Sequence, residues 1–327
     1  MTNLSSAKPR DSVGTVTCIG GGLIGVGWAA HFLRAGLKVV VYDVAPERAE
    51  YINRTLDAAM PTLVKLGLSP GASRDNVRFT TDLGDALSSA DFVQESATEN
   101  LDAKTSLLAE IDAALAPDVV IASSSSGFLA SDLRSKAKNG HRIIIGHPFN
   151  PPYLVPLVEL AGGDQAPGAV AKATTFYRST GCEVVELSRE IDGYIGNRIQ
   201  FAVFKEILYL LSQGVADLES IDRAITSGPA LRWAVMGPSS VFFLGARDVG
   251  LYGDFVKLLS EELASGYAAP PDFVPDPALL RRYADEVTSG IGALGQAPLL
   301  EKRDLGVASI RLALARLAST GAGQGGN

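Results

Sequence analysis

The sequence is poor in the residues that build metal centres and disulfide frameworks. Its 327 residues hold 2 cysteines and 3 histidines. Cys18 and Cys182 lie in or beside strand-like runs, with no metal-ligand spacing, so reduced, buried thiols in a cytoplasmic protein are expected and no metal site is assigned. Positive charge is also scarce: 29 basic against 36 acidic residues give a net charge of -7. That balance argues against a nucleic-acid footprint and says nothing about small anionic ligands, which need only local positive charge. No membrane-spanning run is found either. Residues 18–33 are nearly all apolar or glycine, yet no basic region feeds into them, and five glycines suit a turn better than a span. Residues 1–11 and the final GAGQGGN read as loose ends.

What is present is an alternation of strand-like and helix-like segments. Val13–Ile19 reads as a strand, and Gly20-Gly21-Gly22-Leu23-Ile24-Gly25 follows at once. A helix closed by Gly36 comes next, then a strand from Lys38 to Tyr42 that ends at Asp43. GxGxxG alone is weak in a chain with 34 glycines, but strand, glycine turn, helix, strand and acid in that order is specific. Gly20, Gly22 and Gly25 allow the tight turn, and the backbone at Leu23 and Ile24 opens a helix toward a pyrophosphate. Asp43 would accept from a ribose diol and repel a 2′-phosphate, which favours NAD over NADP.

Further strands are expected at 77–80, 91–95, 119–122, 143–146, 158–160 and 182–187. Helices fall between them, including one from Ser131, its N-cap, to Lys138. The pattern predicts a doubly wound Rossmann-type sheet over residues 1–188. Beyond Ser188 no strand is convincing. A helix over 191–213, apolar on most faces and therefore buried on several sides, inside a helical domain or between subunits, is followed by one capped by Asp217 and by helices near 248–264, 276–289 and 298–318. Residues 189–327 are expected to form an all-helical domain.

The central stretch is HRIIIGHPFNPPYLVPLVEL, residues 141–160. Ile143 to Gly146 reads as a buried strand with His147 at its end, in a loop stiffened by Pro148, Pro151 and Pro152. Glu159, twelve residues on, is the lone acid of an apolar run. The two suit a base and its orienter; a capping histidine and a solvent-facing glutamate is the alternative. His31 and His141 read as structural. Lys104, early in a helix after DFVQES, has an ordinary surface lysine as its plain reading, and Ser123–Ser126 a plain loop.

These residues together resemble the 3-hydroxyacyl-CoA dehydrogenase family. IGGGLIG, YD, QESATENLDAK, SSSSG, GHPFNPP, PLVEL and GYIGNRI stand in family order and spacing over most of the chain. The resemblance implies His147 as the acid/base with Asn150 as its motif partner, and Glu159 as the group that orients it. It also implies Ser126 and Asn197 on the substrate oxygen, Glu99 and Lys104 on the NAD side, and a homodimer built by the helical domain.

The second half departs from the acyl-CoA enzymes. HPFNPPYLVPLVEL leans to a small-acid branch of the L-gulonate 3-dehydrogenase type, related to lambda-crystallin, and RWAVMG to one of the L-carnitine dehydrogenase type. An L-gulonate-like 3-hydroxy acid is the first expectation, with L-carnitine and a 3-hydroxyacyl-CoA as alternatives. Arg232 suits the substrate carboxylate, with a surface salt bridge equally open. Trp233, Phe242, Phe243 and Tyr252 would suit a quaternary ammonium, or a core. A non-catalytic, crystallin-like NAD binder is the reading of another class.

Overall fold

The computed structural model describes residues 13–239, 241, 270, 272–286, 289, 293 and 296–321. It divides into two compact units, Met1–Ile195 and Gly196–Asn327.

Among the described residues, the first unit holds one eight-stranded sheet. Its strands are β1 (Thr15–Ile19), β2 (Lys38–Tyr42), β3 (Val77–Thr80), β4 (Phe92–Glu95), β5 (Val120–Ser123), β6 (Ile143–Pro148), β7 (Leu157–Ala161) and β8 (Glu183–Glu186). They lie in the order β3-β2-β1-β4-β5-β6-β7-β8. Six run parallel; β7 pairs antiparallel with β6, and β8 runs with β7. The order reverses between β1 and β4, the switch point where open α/β sheets bind ligands. The helices are α1 (Leu23–Arg34), α2 (Arg48–Leu66), α3 (Leu83–Leu87), α4 (Leu101–Ala114), α5 (Ala130–Leu133) and α6 (Pro167–Ser179).

Both faces of the sheet are covered, so adjacent strand residues serve opposite cores. Val93, Ile121, Ile143 and Ile145 pack with Leu108 and Ile111 of α4. Phe92 instead meets Phe176 of α6, with ring centroids 4.3 Å apart, and Trp28 and Phe32 of α1 stack 5.1 Å apart on the same side. Both cysteines are buried and free, as the composition predicts. His31 is buried as well, 2.9 Å from the Thr180 hydroxyl.

Two local expectations need correction, and a third is met only in part within one chain. Strand β6 runs through His147 and Pro148, because pairing with β7 continues there; His147 sits in the sheet rather than in the loop after it. Ser131 is not an N-cap. Helix α5 starts one residue earlier, after Leu129, and the Ser131 N–H donates to Glu190 at 3.0 Å. Helix α7 (Tyr194–Ser212) buries Leu208 and Leu211 but leaves Ile199 58% and Phe201 64% exposed within the chain.

The described secondary structure of the second unit is helical throughout. Helix α8 (Leu218–Ser227) is capped by Asp217, which accepts from the Ser220 N–H at 2.7 Å. Helices α9 (Pro229–Trp233), α10 (Pro277–Glu286) and α11 (Gln296–Gly321) follow. Leu208, Leu211, Ile221 and Leu279 form a small core. The helix expected at 248–264, residues 1–11, Phe242, Phe243, Tyr252 and the end of the chain beyond 321 lie outside the described residues.

Candidate active site

The glycine turn follows β1 at the switch point. Gly20 has φ +98°, a left-handed conformation that disfavours any other residue, and its N–H donates to the Tyr42 carbonyl at 2.8 Å. A Cβ on Gly25 would overlap the Gly20 carbonyl oxygen, so the third glycine lets α1 close on the turn. A Cβ on Gly22 would meet nothing within 4 Å. The second glycine therefore borders open space at the start of α1, where no side chain caps the helix and Leu23 is 56% exposed. Backbone N–H groups facing such a space suit a pyrophosphate. Asp43 closes the β2 side: its carboxylate accepts from the Gly21 N–H at 2.7 Å and the Ala45 N–H at 3.0 Å. These features fit a dinucleotide.

On the other side of β1, the ends of β4 and β5 carry a charged network. Lys104 is 1% exposed, and its ammonium lies 2.8 Å from Glu95 and 3.3 Å from Glu99. Glu95, fully buried at the end of β4, also accepts from the Ser123 hydroxyl at 2.5 Å. Glu99 accepts from the Ser125 hydroxyl at 2.5 Å and from the N–H groups of Ser126 and Gly127 at 3.1 and 2.9 Å. Burial pushes the Glu99 carboxyl up, but the Ser125 hydroxyl, the Gly127 N–H and the Lys104 ammonium outweigh it and hold it below the usual carboxylate range. Lys104 is thus a buried counter-ion that ties the serine loop to β4, not an ordinary surface lysine. Ser126 stands exposed at the tip of that loop.

His147 and Glu159 are register partners across the antiparallel β6–β7 pair. Cross-strand partners project to the same face, and the His147 Nδ1 lies 3.0 Å from Glu159 Oε2. Both are nearly fully buried. The second Glu159 oxygen accepts from the Ile195 N–H at 2.9 Å, which fixes the carboxylate plane. Asn150 is exposed in the turn that follows, beside the cis Asn150–Pro151 bond. Pro152 packs on α1, where a Cβ at Gly27 would come within 2.5 Å of its Cδ.

The first unit therefore brings His147 together with Glu159, and Glu99 together with Lys104 and the serine loop. Asn197, in the first turn of α7, and Arg232, exposed in α9, belong to the second unit. Sequence reasoning missed Tyr194. Its ring centroid is 5.0 Å from that of His147, and its hydroxyl donates to the Phe128 carbonyl at 2.6 Å. Burial, followed by the nearby carboxylates Glu99, Glu190, Glu159 and Asp192, pushes the phenol up and keeps it a neutral donor. The preceding Asp192-Gly193 pair was the available signal: turn dipeptides mark special backbone, and Gly193 and Tyr194 have φ +74° and +50°.

A dinucleotide crevice at the sheet switch point with a buried histidine–carboxylate pair defines the class, a nicotinamide-dependent oxidoreductase. Comparison with known proteins gives the family. Residues 15–191 match the NAD-binding domain of 3-hydroxyacyl-CoA dehydrogenase, and residues 193–285 match its C-terminal domain. The L-carnitine dehydrogenase of Streptomyces coelicolor is 42% identical over 312 residues, covering 94% of this chain and 96% of the relative. That of Streptomyces griseus is 43% identical, covering 94% and 92%. In fold, the chain resembles the solved NAD+-dependent 5-formyl-3-hydroxy-2-methylpyridine 4-carboxylic acid 5-dehydrogenase, with TM-score 0.81 and 30% identity over 93% of this chain and 99% of that one. The chain belongs to the 3-hydroxyacyl-CoA dehydrogenase family and is an NAD-dependent dehydrogenase. No helix among the described residues is long and apolar enough to cross a membrane.

Proposed function

We propose that the chain oxidises the 3-hydroxyl of L-carnitine to the ketone. The chemistry rests on the His147–Glu159 pair beside the dinucleotide crevice. The choice of acid rests on the L-carnitine dehydrogenases that align along nearly the whole chain. L-Gulonate, the first expectation from sequence, becomes the competing substrate.

His147 takes the hydroxyl proton as general base. Glu159 keeps the other ring proton on Nδ1 and stabilises the imidazolium as it forms. Bound NAD+ supplies the hydride acceptor. Asp43 holds the adenosine ribose, the turn at Gly20, Gly22, Leu23, Ile24 and Gly25 holds the pyrophosphate, and Asn150 and Glu99, the latter fixed from behind by buried Lys104, line the cofactor side. Ser126 and, on the strength of its family motif, Asn197 hold the substrate oxygen so that its carbon faces the cofactor. Arg232 binds the substrate carboxylate as a bidentate fork. The exposed apolar side chains of α7 fit a homodimer, which the mass in solution checks.

The test is NADH or NADPH formation with L-carnitine, L-gulonate, 3-hydroxybutyrate and 3-hydroxybutyryl-CoA, each with NAD+ and with NADP+. Turnover of L-carnitine with NAD+ is expected. Preference for L-gulonate would reassign the acid, and preference for the CoA ester would overturn the small-acid reading. Silence on all four substrates, with NADH still bound, would leave the non-catalytic binder standing.

A further inference from the structure

A second polar network lies under the glycine turn, and the reaction chemistry above does not use it. Its centre is Ser124, just after β5. The Trp28 Nε1–H donates to the Ser124 hydroxyl oxygen at 3.1 Å, and the Gln94 Nε2–H donates to the same oxygen at 2.8 Å. The Gln94 amide orientation is fixed from both ends. Its Nε2 also faces the Gly146 carbonyl at 3.3 Å, which can only accept, and its Oε1 accepts from the buried Tyr177 hydroxyl. Tyr177 is held as a neutral donor, since burial pushes its phenol well above the ordinary range.

A serine hydroxyl has two acceptor sites and one proton. Two N–H donors fill both acceptor sites of Ser124, so its proton must go to its third partner, the Ser96 hydroxyl oxygen at 2.8 Å. Ser96 is then an acceptor inside the network, and its own proton points out of it. Among the described residues that proton meets no hydrogen-bond acceptor.

Ser96 follows the last residue of β4 and packs against the glycine turn. A Cβ at Gly20 would come within 2.6 Å of the Ser96 carbonyl oxygen, and one at Gly25 within 3.6 Å of the Ser96 Cβ. In the sheet, β4 and β2 flank β1 on opposite sides. Asp43 stands at the β2 side, Ser96 at the β4 side. A dinucleotide laid across the switch point with its adenosine at Asp43 runs its other half past Ser96.

We propose that Ser96 is a cofactor-binding residue whose hydroxyl, aimed by Trp28, Gln94 and Tyr177 through Ser124, donates a hydrogen bond to an oxygen of the nicotinamide-side phosphate or ribose of NAD. The inference rests on the family's use of NAD and is independent of which acid is oxidised.

The test is Ser96→Ala in the full chain, with dissociation constants for NADH, ADP-ribose and AMP measured by calorimetry. One lost hydrogen bond weakens NADH and ADP-ribose by about 3- to 10-fold. AMP, which lacks the half that reaches Ser96, should bind as it does to the wild type. NADH binding within twofold of wild type would overturn the proposal, and so would an equal loss for AMP, which signals general damage to the turn. Failure of the wild-type chain to bind NADH would instead refute the NAD reading itself.

Discussion

Replacing Glu159 by Gln removes the negative charge from the His147–Glu159 pair and keeps the size of the side chain. The Gln oxygen can still accept from the Ile195 N–H, which Glu159 holds at 2.9 Å, so the strand pairing should survive. The electrostatic loss follows from the 3.0 Å separation of Nδ1 and Oε2: at an effective dielectric near 20, opposite unit charges there attract by about 5 kcal/mol. With roughly half of the imidazolium charge developed in the transition state, about 2–3 kcal/mol is lost, or about 30- to 150-fold in kcat. A second effect acts in the same direction. The Gln amide placed against Nδ1 is a donor, which favours the tautomer with its proton on Nε2, unable to accept one from the substrate. The assay is steady-state turnover beside an NADH titration. The expected result is a kcat reduced by about two orders of magnitude with the NADH dissociation constant unchanged. A kcat within about threefold of wild type would remove Glu159 from the mechanism.

Gly25→Ala should destabilise the fold by about 1–3 kcal/mol, read as a lower Tm, because its Cβ overlaps the Gly20 carbonyl. Gly22→Ala, which meets no protein atom within 4 Å, should keep the wild-type Tm and lose NADH affinity; the reverse pattern would refute the assignment of that open space to cofactor. Asp43→Asn should narrow the preference for NAD+ over NADP+ in kcat/KM, and an unchanged ratio would show that Asp43 does not face the ribose. The folded Glu99 carboxyl is held below its unfolded value, so its stabilisation is present above pH about 4 and is lost as pH falls through the folded value. The Tm difference between wild type and Glu99→Gln should therefore shrink on acidification; a pH-independent difference would contradict that network.

Strand β3 matches its expected span of 77–80, and β2 its span of Lys38–Tyr42, because runs rich in β-branched and aromatic residues end at or just before an aspartate, Asp82 and Asp43. The dinucleotide turn was legible for the same local reason. The burial of Lys104 was not. It depends on Glu95, which stands in a strand covered on both faces, where alternation gives no sign of which polar residue points inward. Nor was the Ser124 network, whose donor Trp28 is 96 residues away in sequence. Composition marked helix α7 as a helix to be covered but left open whether its own domain or another subunit covers it, and within one chain Ile199 and Phe201 stay exposed.

Six strands end at the ligand edge of the sheet, while β7 starts there, and that reversal makes the spacing between His147 and Glu159 a measured length. Facing side chains in an antiparallel pair change sides with a slip of a single residue. One residue added or removed between Pro148 and Leu157 would leave both His147 and Glu159 in the chain but turn the carboxylate to the opposite face. A chain that carries both residues at any other separation must absorb the difference in the Asn150–Pro156 turn, or the two side chains no longer meet.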